Sequence, residues 1–408
     1  MHGRGLSAAR PQLIRAMNEQ TLLEHIRRSG PLSRADLARI SGLSKPTVSL
    51  ALSTIERAGL VRTAGHRRGV PGPAAILYEI RPDAGFVLAL DVGRQYLRGA
   101  VADLAGNVRS STSRRTRATT GPGRVAELVR LADSLLAEVE LTRELVTQTV
   151  LGSPGVFDPR RDALSFVGEL SGWNRPGILV ALREAFGASL MIENDVDAAA
   201  LAEAAHGHGR GADSFAFVSV GTGIGMGLVL GGRLHRGSHG VAGEIGFLPF
   251  AEGHGVDLRD AAKRGSFEAT ASAAAVVRAA RRAGLRGAVT ARSVFTAAAE
   301  GDQRAAGTVA EEALLVAKAI TAVITVVDPE LIVLGGGIGQ APGFVEAVTE
   351  QLRDIAPVMP DVRVSALGAG AVVDGCLAAG ADRAWELTTA AAGDEGLGTQ
   401  LVEQVSLR

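Results

Sequence analysis

The sequence predicts an α/β protein: a two-lobed body around a cleft, with a winged helix-turn-helix at its N-terminal end. Three observations carry that expectation. Charge is segregated along the chain, since residues 1–80 hold 12 Lys and Arg against 5 Asp and Glu, whereas residues 81–408 hold 31 against 38. Residues 34–57 read as two short helices around a glycine turn. From Gly85 onward, apolar strand-like runs alternate with amphipathic helical ones, and glycine clusters close one strand after another.

Size and composition narrow the function classes. The chain has 408 residues, 46% hydrophobic and 21% charged, which suits two to four globular domains and excludes a mainly disordered chain. The longest apolar-looking stretch, 313–327, contains Lys318 and follows Glu311 and Glu312, so no membrane-spanning helix is expected. Met1-His2-Gly3-Arg4-Gly5 leads into no apolar segment, so no secretory leader is expected and the location reads as cytoplasmic. A single cysteine, Cys376, makes neither an internal disulfide nor a zinc site by itself. A basic front end on an acidic body suits contact with a polyanion, although charge alone fits a merely solvated surface equally well.

The pattern inside the basic segment favours DNA. Leu13, Ile14, Met17, Leu22, Leu23 and Ile26 recur at helical spacing, giving one or two helices that stop at Gly30-Pro31. Ser33 is placed to cap a helix over 34–41 and Gly42 to turn the chain. Ser44 then caps a helix over 45–57, with Pro46 in its first turn. Leu37, Leu43 and Val48 plug the small core between the two helices, and Leu50 and Ile55 read better as packing, although a Leu also suits a groove surface. The N-terminal end of the second helix then presents Ser44, Lys45, Thr47 and Ser49 to base edges and phosphates. Residues 60–63 and 76–80 read as two strands flanking a loop rich in Gly, Pro and Arg, a wing whose His66, Arg67 and Arg68 face DNA backbone or a minor groove.

In the body, strands are expected at 86–92, 96–102, 146–151, 190–192, 214–220, 226–230, 331–334 and 362–365, with a last helix over 369–387. The strand ends carry Asp91-Val92-Gly93, Gly152-Ser153-Pro154-Gly155, Glu193-Asn194-Asp195, Gly221-Thr222-Gly223-Ile224-Gly225 and Gly335-Gly336-Gly337-Ile338-Gly339. The division is 1–81 for the head, 82–198 and 199–389 for the lobes, and 390–408 for a polar tail.

Together these segments resemble the ROK family (repressor, open reading frame, kinase), sugar-responsive regulators and sugar kinases on an actin/hexokinase-like fold. The most specific stretches are residues 192–200, the glycine turn 221–225 and Gly240-Val241-Ala242-Gly243-Glu244-Ile245-Gly246. Kinase members normally lack a DNA-binding head, so the resemblance implies a regulator. It also implies that Asn194 and Asp195 fall on the sugar-binding amide and the catalytic carboxylate. Glu244 and Glu268 fall on further sugar-binding carboxylates, and Pro154-Gly155 on the loop beneath the sugar. Asn194 and Asp195 also suit a helix N-cap, and the two roles are compatible.

Two departures follow from the same resemblance. The phosphate loop of the kinases reads Asp-x-Gly-Gly-Thr, but here Arg94 and Gln95 follow Asp91-Val92-Gly93, removing the small residue and hydroxyl that let backbone amides close on a phosphate. The family's zinc ligands, a His and three Cys, are replaced by Phe247, Arg259, Ala261 and Ser266. Phe247 also replaces a sugar-contacting imidazole. The reading is a DNA-binding regulator, a repressor of carbohydrate-related genes, that binds an operator duplex and a sugar-type effector as a homodimer or homotetramer, without metal, cofactor or catalysis. A sugar kinase with a retained head and a DNA-binding protein with a vestigial cleft are the alternatives.

Overall fold

The computed structural model describes residues 6–67, 74–165, 167, 170–187, 189–250, 261–262 and 264–394. Arg68 and Arg259 lie outside the described residues. The head runs α1 (Leu6–Ser29), β1 (Leu32–Ser33), α2 (Arg34–Ser41), α3 (Lys45–Arg57), β2 (Val61–Arg67) and β3 (Ala75–Ile80). The apolar positions of the first segment form one uninterrupted helix. Ser33 Oγ accepts the Asp36 amide at 3.2 Å while the Ser33 amide donates to Asp36 at 3.1 Å, a reciprocal cap that fixes the start of α2. Gly42 ends it at φ 70°, a left-handed conformation that glycine adopts without a Cβ clash. Ser44 accepts the Thr47 amide at 3.3 Å and starts α3.

Leu22, Leu23, Ile26, Leu37, Val48, Leu52 and Ile55 close the head's core. Leu50 departs from the packing role expected of it, being 59% exposed, because its position on α3 faces away from α1 and α2. The wing strands pair antiparallel, and β1 adds to the far side of β3.

The body is built on two five-stranded sheets of one design, beside a two-stranded ribbon, β8 (Val156–Asp158) and β9 (Ala163–Ser165). In the first, β10 (Met191–Asn194), β7 (Val146–Ser153) and β4 (Phe86–Val92) are parallel, and β5 (Tyr96–Asp103) and β6 (Val108–Arg115) continue antiparallel. In the second, β15 (Asp361–Val364), β14 (Leu331–Gly335) and β11 (Phe215–Val220) are parallel, followed by antiparallel β12 (Ile224–Leu230) and β13 (Arg233–Leu234). Helix α4 (Gly121–Glu138) covers the first sheet through Leu128, Leu131, Leu135 and Leu136, each worth about 1.5–3 kcal/mol of burial. A 25-residue helix, Gln303–Val327, does the same in the second lobe through Leu315, Val316, Ile320 and Ile324. Among the described residues, no helix is long and apolar enough to cross a membrane.

Two helices join the parts. Helix α6 (Asp195–His206) begins at the end of β10 and packs against β12 of the second lobe, where a Cβ on Gly227 would lie 2.6 Å from the Ala200 Cβ. The last helix, Ala371–Asp394, extends beyond the expected end at 387. Within the helix, Ala384 and Trp385 are buried against head residues.

Candidate functional site

A cleft of about 710 Å³ opens between the lobes, at the carboxyl ends of the strands of both sheets. Five chain turns form its floor: Gly93-Arg94 after β4, Pro154-Gly155 after β7, Asn194-Asp195 after β10, Gly221-Thr222-Gly223 after β11, and Gly336-Gly337 after β14. Glu244 and Glu268 complete it from the second lobe.

Asn194 is the N-cap of α6. Its Oδ1 accepts the amides of Val196 at 2.8 Å and Asp197 at 3.1 Å, and its Nδ2 donates to the Gly155 carbonyl at 3.0 Å. The same side chain therefore starts the helix and ties two strand ends together, leaving the second Nδ2 hydrogen for a ligand. Asp195 follows, its Oδ1 accepting the Val196 amide at 2.9 Å. Burial, together with the nearby Asp91 and Glu244 carboxylates, pushes its pKa up to about 7 against that amide's opposing pull.

Glu244 is likewise pushed up to about 7, by burial and by Glu268. Glu268 accepts the Ile224 amide at 2.9 Å and so props the 221–225 turn, with Arg264 4.0 Å away. Such an array offers several carboxylate acceptors and an amide donor to vicinal hydroxyls, which is the chemistry of carbohydrate recognition.

Phe247 stands apart. It is 41% exposed and is not among the residues lining the cleft. Glu244 precedes a short 3-10 segment, Ile245–Phe247, in which Ile245 and Gly246 are buried.

Sequence reasoning missed three contacts. Asp91 is buried and ion-paired with Arg98 at 2.9 Å, yet burial still pushes its pKa to about 6. Arg124 of α4 donates to the carbonyls of Gly93 at 2.9 Å and Arg94 at 3.1 Å, pinning the first turn from behind. Arg236 of the second lobe pairs with buried Glu193 of the first, through Nε at 3.1 Å and again through Nη2, and so ties the two lobes together. These contacts join residues about 7 to 43 positions apart, and no local motif announces them.

On the head, Ser44 and Lys45 are exposed and Thr47 and Ser49 half-buried along the first turns of α3. Leu50 extends that face. His66 is exposed at the end of β2, whereas Arg67 is engaged by Asp36 of α2 at 2.9 Å, tying the wing to the helix pair.

A profile of the ROK family matches residues 87–381, and one of the MarR family matches residues 18–69. This chain belongs to the ROK family.

Other ROK proteins span regulators and kinases. The xylose repressor of Bacillus subtilis is 22% identical over 58% of this chain, and the match spans only 61% of that repressor's length. The xylose repressor of Caldicellulosiruptor bescii is 22% identical over 90% of this chain and 96% of its own. A ROK hexokinase from Thermus thermophilus is 31% identical, covering 74% of this chain and 99% of that one with a TM-score of 0.63. A ROK family transcriptional regulator described as a homologue of the E. coli MLC protein superposes with a TM-score of 0.75 over 94% of this chain at 24% identity, which shows the shared fold.

Within that ROK frame the zinc positions do not fit a metal. Phe247 and Ala261 carry no ligand atom, and Ser266 begins a helix, Ser266–Ala271. Among the described residues, no cluster of three or more His, Cys, Asp or Glu side chains is arranged to hold an ion.

Proposed function

We propose that this ROK protein is a transcriptional repressor of carbohydrate-related genes, whose winged head binds an operator duplex and whose inter-lobe cleft binds a sugar-type effector. The observation that carries the reading is the pairing, in one chain, of a MarR-type head with a cleft in which Asn194, Asp195, Glu244 and Glu268 converge. Repression of xylose genes by relatives, as their names state, agrees with it.

Ser44, Lys45, Thr47 and Ser49 present the polar start of α3 to the major groove, with Leu50 beside them to meet a thymine methyl. His66 flanks this face from the wing. One head reads one half-site, so a two-fold homodimer, alone or paired into a tetramer, reads a palindrome. The sugar releases or strengthens that grip only through its unequal affinity for the two head arrangements.

Sugar phosphorylation is the competing activity. Asp195, with a pKa near 7, suits a general base, but Arg94 and Gln95 occupy the first phosphate turn and Arg124 holds its carbonyls.

Selection of genomic fragments on the purified full chain, followed by footprinting with and without a panel of pentoses, hexoses and acetamido sugars, tests the proposal. A palindromic footprint that one sugar class erases or enhances is expected. Absence of any selected fragment, or ATP turnover against a sugar at about 1 s⁻¹ or faster, would overturn it.

A further inference from the structure

Among the described residues, the head meets the body along the connection through residues 81–85, where the Leu104 amide donates to the Pro82 carbonyl at 3.0 Å, and in a buried cluster that takes in Val87 and Leu104 of the first lobe. The last helix, α13 (Ala371–Asp394), enters the same cluster. Arg27 of α1 donates to Asp382 at 2.7 Å, and its guanidinium lies over the Trp385 ring, 5.7 Å from the centroid. Trp385 and Ala384 are buried in the same cluster as Leu22, Leu23 and Ile26 of the head. Even the connection is gripped by α13, since a Cβ on Gly85 would lie 3.0 Å from the Thr388 hydroxyl.

The other end of α13 is locked to the cleft. Its Gly375 meets α6 backbone to backbone, so that a Cβ there would overlap the Ala198 carbonyl oxygen. Val372 and Cys376 press on Gly152 in β7, immediately before the Pro154-Gly155 turn. Helix α6 itself carries Asn194 and Asp195 at its start and lies against β12 of the second lobe, so any movement of one lobe against the other acts on it. Close-packed backbones of this kind shift as units and do not deform gradually. From Gly375 to Trp385 the helix spans about 15 Å.

We infer that α13 is the rigid link that carries lobe movement to the head, and that Arg27 seated on Trp385 and Asp382 is its joint. The inference deepens the repressor reading, on which its regulatory meaning rests. It assigns positioning roles, since neither Arg27 nor Trp385 lines the cleft or belongs to the start of α3.

Head placement can be measured with neither DNA nor sugar present. Spin labels at Leu50→Cys on the head and Val180→Cys on the first lobe, both exposed, give an interspin distance distribution; buried Cys376 stays unlabelled, and dilution with unlabelled chain removes distances between copies. The otherwise native chain is expected to give one narrow distribution. Trp385→Ala widens it, as does the milder Arg27→Gln. Gly375→Ala, or Val372→Ala if the former does not fold, moves its centre although both substitutions lie far from the head. An unchanged width in the joint variants, or an unchanged centre in a folded contact variant, overturns the inference. Because no ligand enters the measurement, that failure would leave the repressor reading standing, just as failure to select DNA would leave the mechanical link standing.

Discussion

Replacing Asp195 by Asn should make the protein more stable at alkaline pH, although it removes a group from the heart of the cleft. The folded-state pKa is near 7 against an ordinary value of 3.8. A raised carboxyl pKa means that the native chain holds its proton more tightly than the unfolded chain does. Stability therefore falls as pH rises from about 4 to about 7 and then levels off. Three pH units at about 1.4 kcal/mol each give a ceiling of about 4 kcal/mol. Solvent in the open cleft screens part of this, leaving roughly 2 kcal/mol as the expected gain at pH 8. Asn retains an oxygen to accept the Val196 amide, so the start of α6 survives. Relief extends to Asp91 and Glu244, whose charges Asp195 opposes. Urea unfolding at pH 5 and pH 8 reads the effect directly. A variant that loses as much stability at pH 8 as at pH 5 would refute the reasoning, because Asp195 would then be a structural cap and not a strained, desolvated charge.

Other expectations follow from the same kind of reasoning. Glu312 is buried with Oε1 unpartnered and its pKa is pushed well up by burial, so Glu312→Leu should raise stability by about 1–3 kcal/mol at pH 8, with a smaller gain in acid, as measured by thermal unfolding. Gly336 sits at φ 78°, where a Cβ would overlap the Val220 carbonyl oxygen; Gly336→Ala should cost at least about 1–2 kcal/mol by chemical denaturation. Lys45→Ala should weaken operator binding and reduce the slope of log affinity against log salt by about 0.9 if its ammonium meets one phosphate. An unchanged slope in gel-shift titrations would remove Lys45 from the phosphate contacts.

Much of this molecule is written locally. Ser33, Gly42, Ser44 and Pro46 mark the helix-turn-helix because caps and turns are decided within a few residues, and the strand 86–92 is bounded in the sequence as it is in the fold. The glycine turns reveal the cleft for the same reason, since each closes a strand. What escaped is non-local. Nothing near Arg124 says that it will hold the Gly93 carbonyl, nor near Arg236 that it will cross to Glu193. Side-chain direction is equally illegible: Phe247, placed at the cleft by the family resemblance, lies within the 3-10 segment Ile245–Phe247 and off the cleft lining, and Leu50 is exposed on α3. The burial of Trp385 is non-local too, since it rests on an element more than 350 positions earlier.

Arg67, at the end of β2, is held by Asp36 of α2. Asp36 also closes the cap of α2, so one carboxylate fastens the end of β2 to the start of the helix pair. A duplex that met both the start of α3 and the wing would meet two points whose offset is set in advance, and would bend or twist wherever its grooves did not match that offset. Sequences that yield easily would then be preferred over stiff ones, even at steps that no side chain reaches.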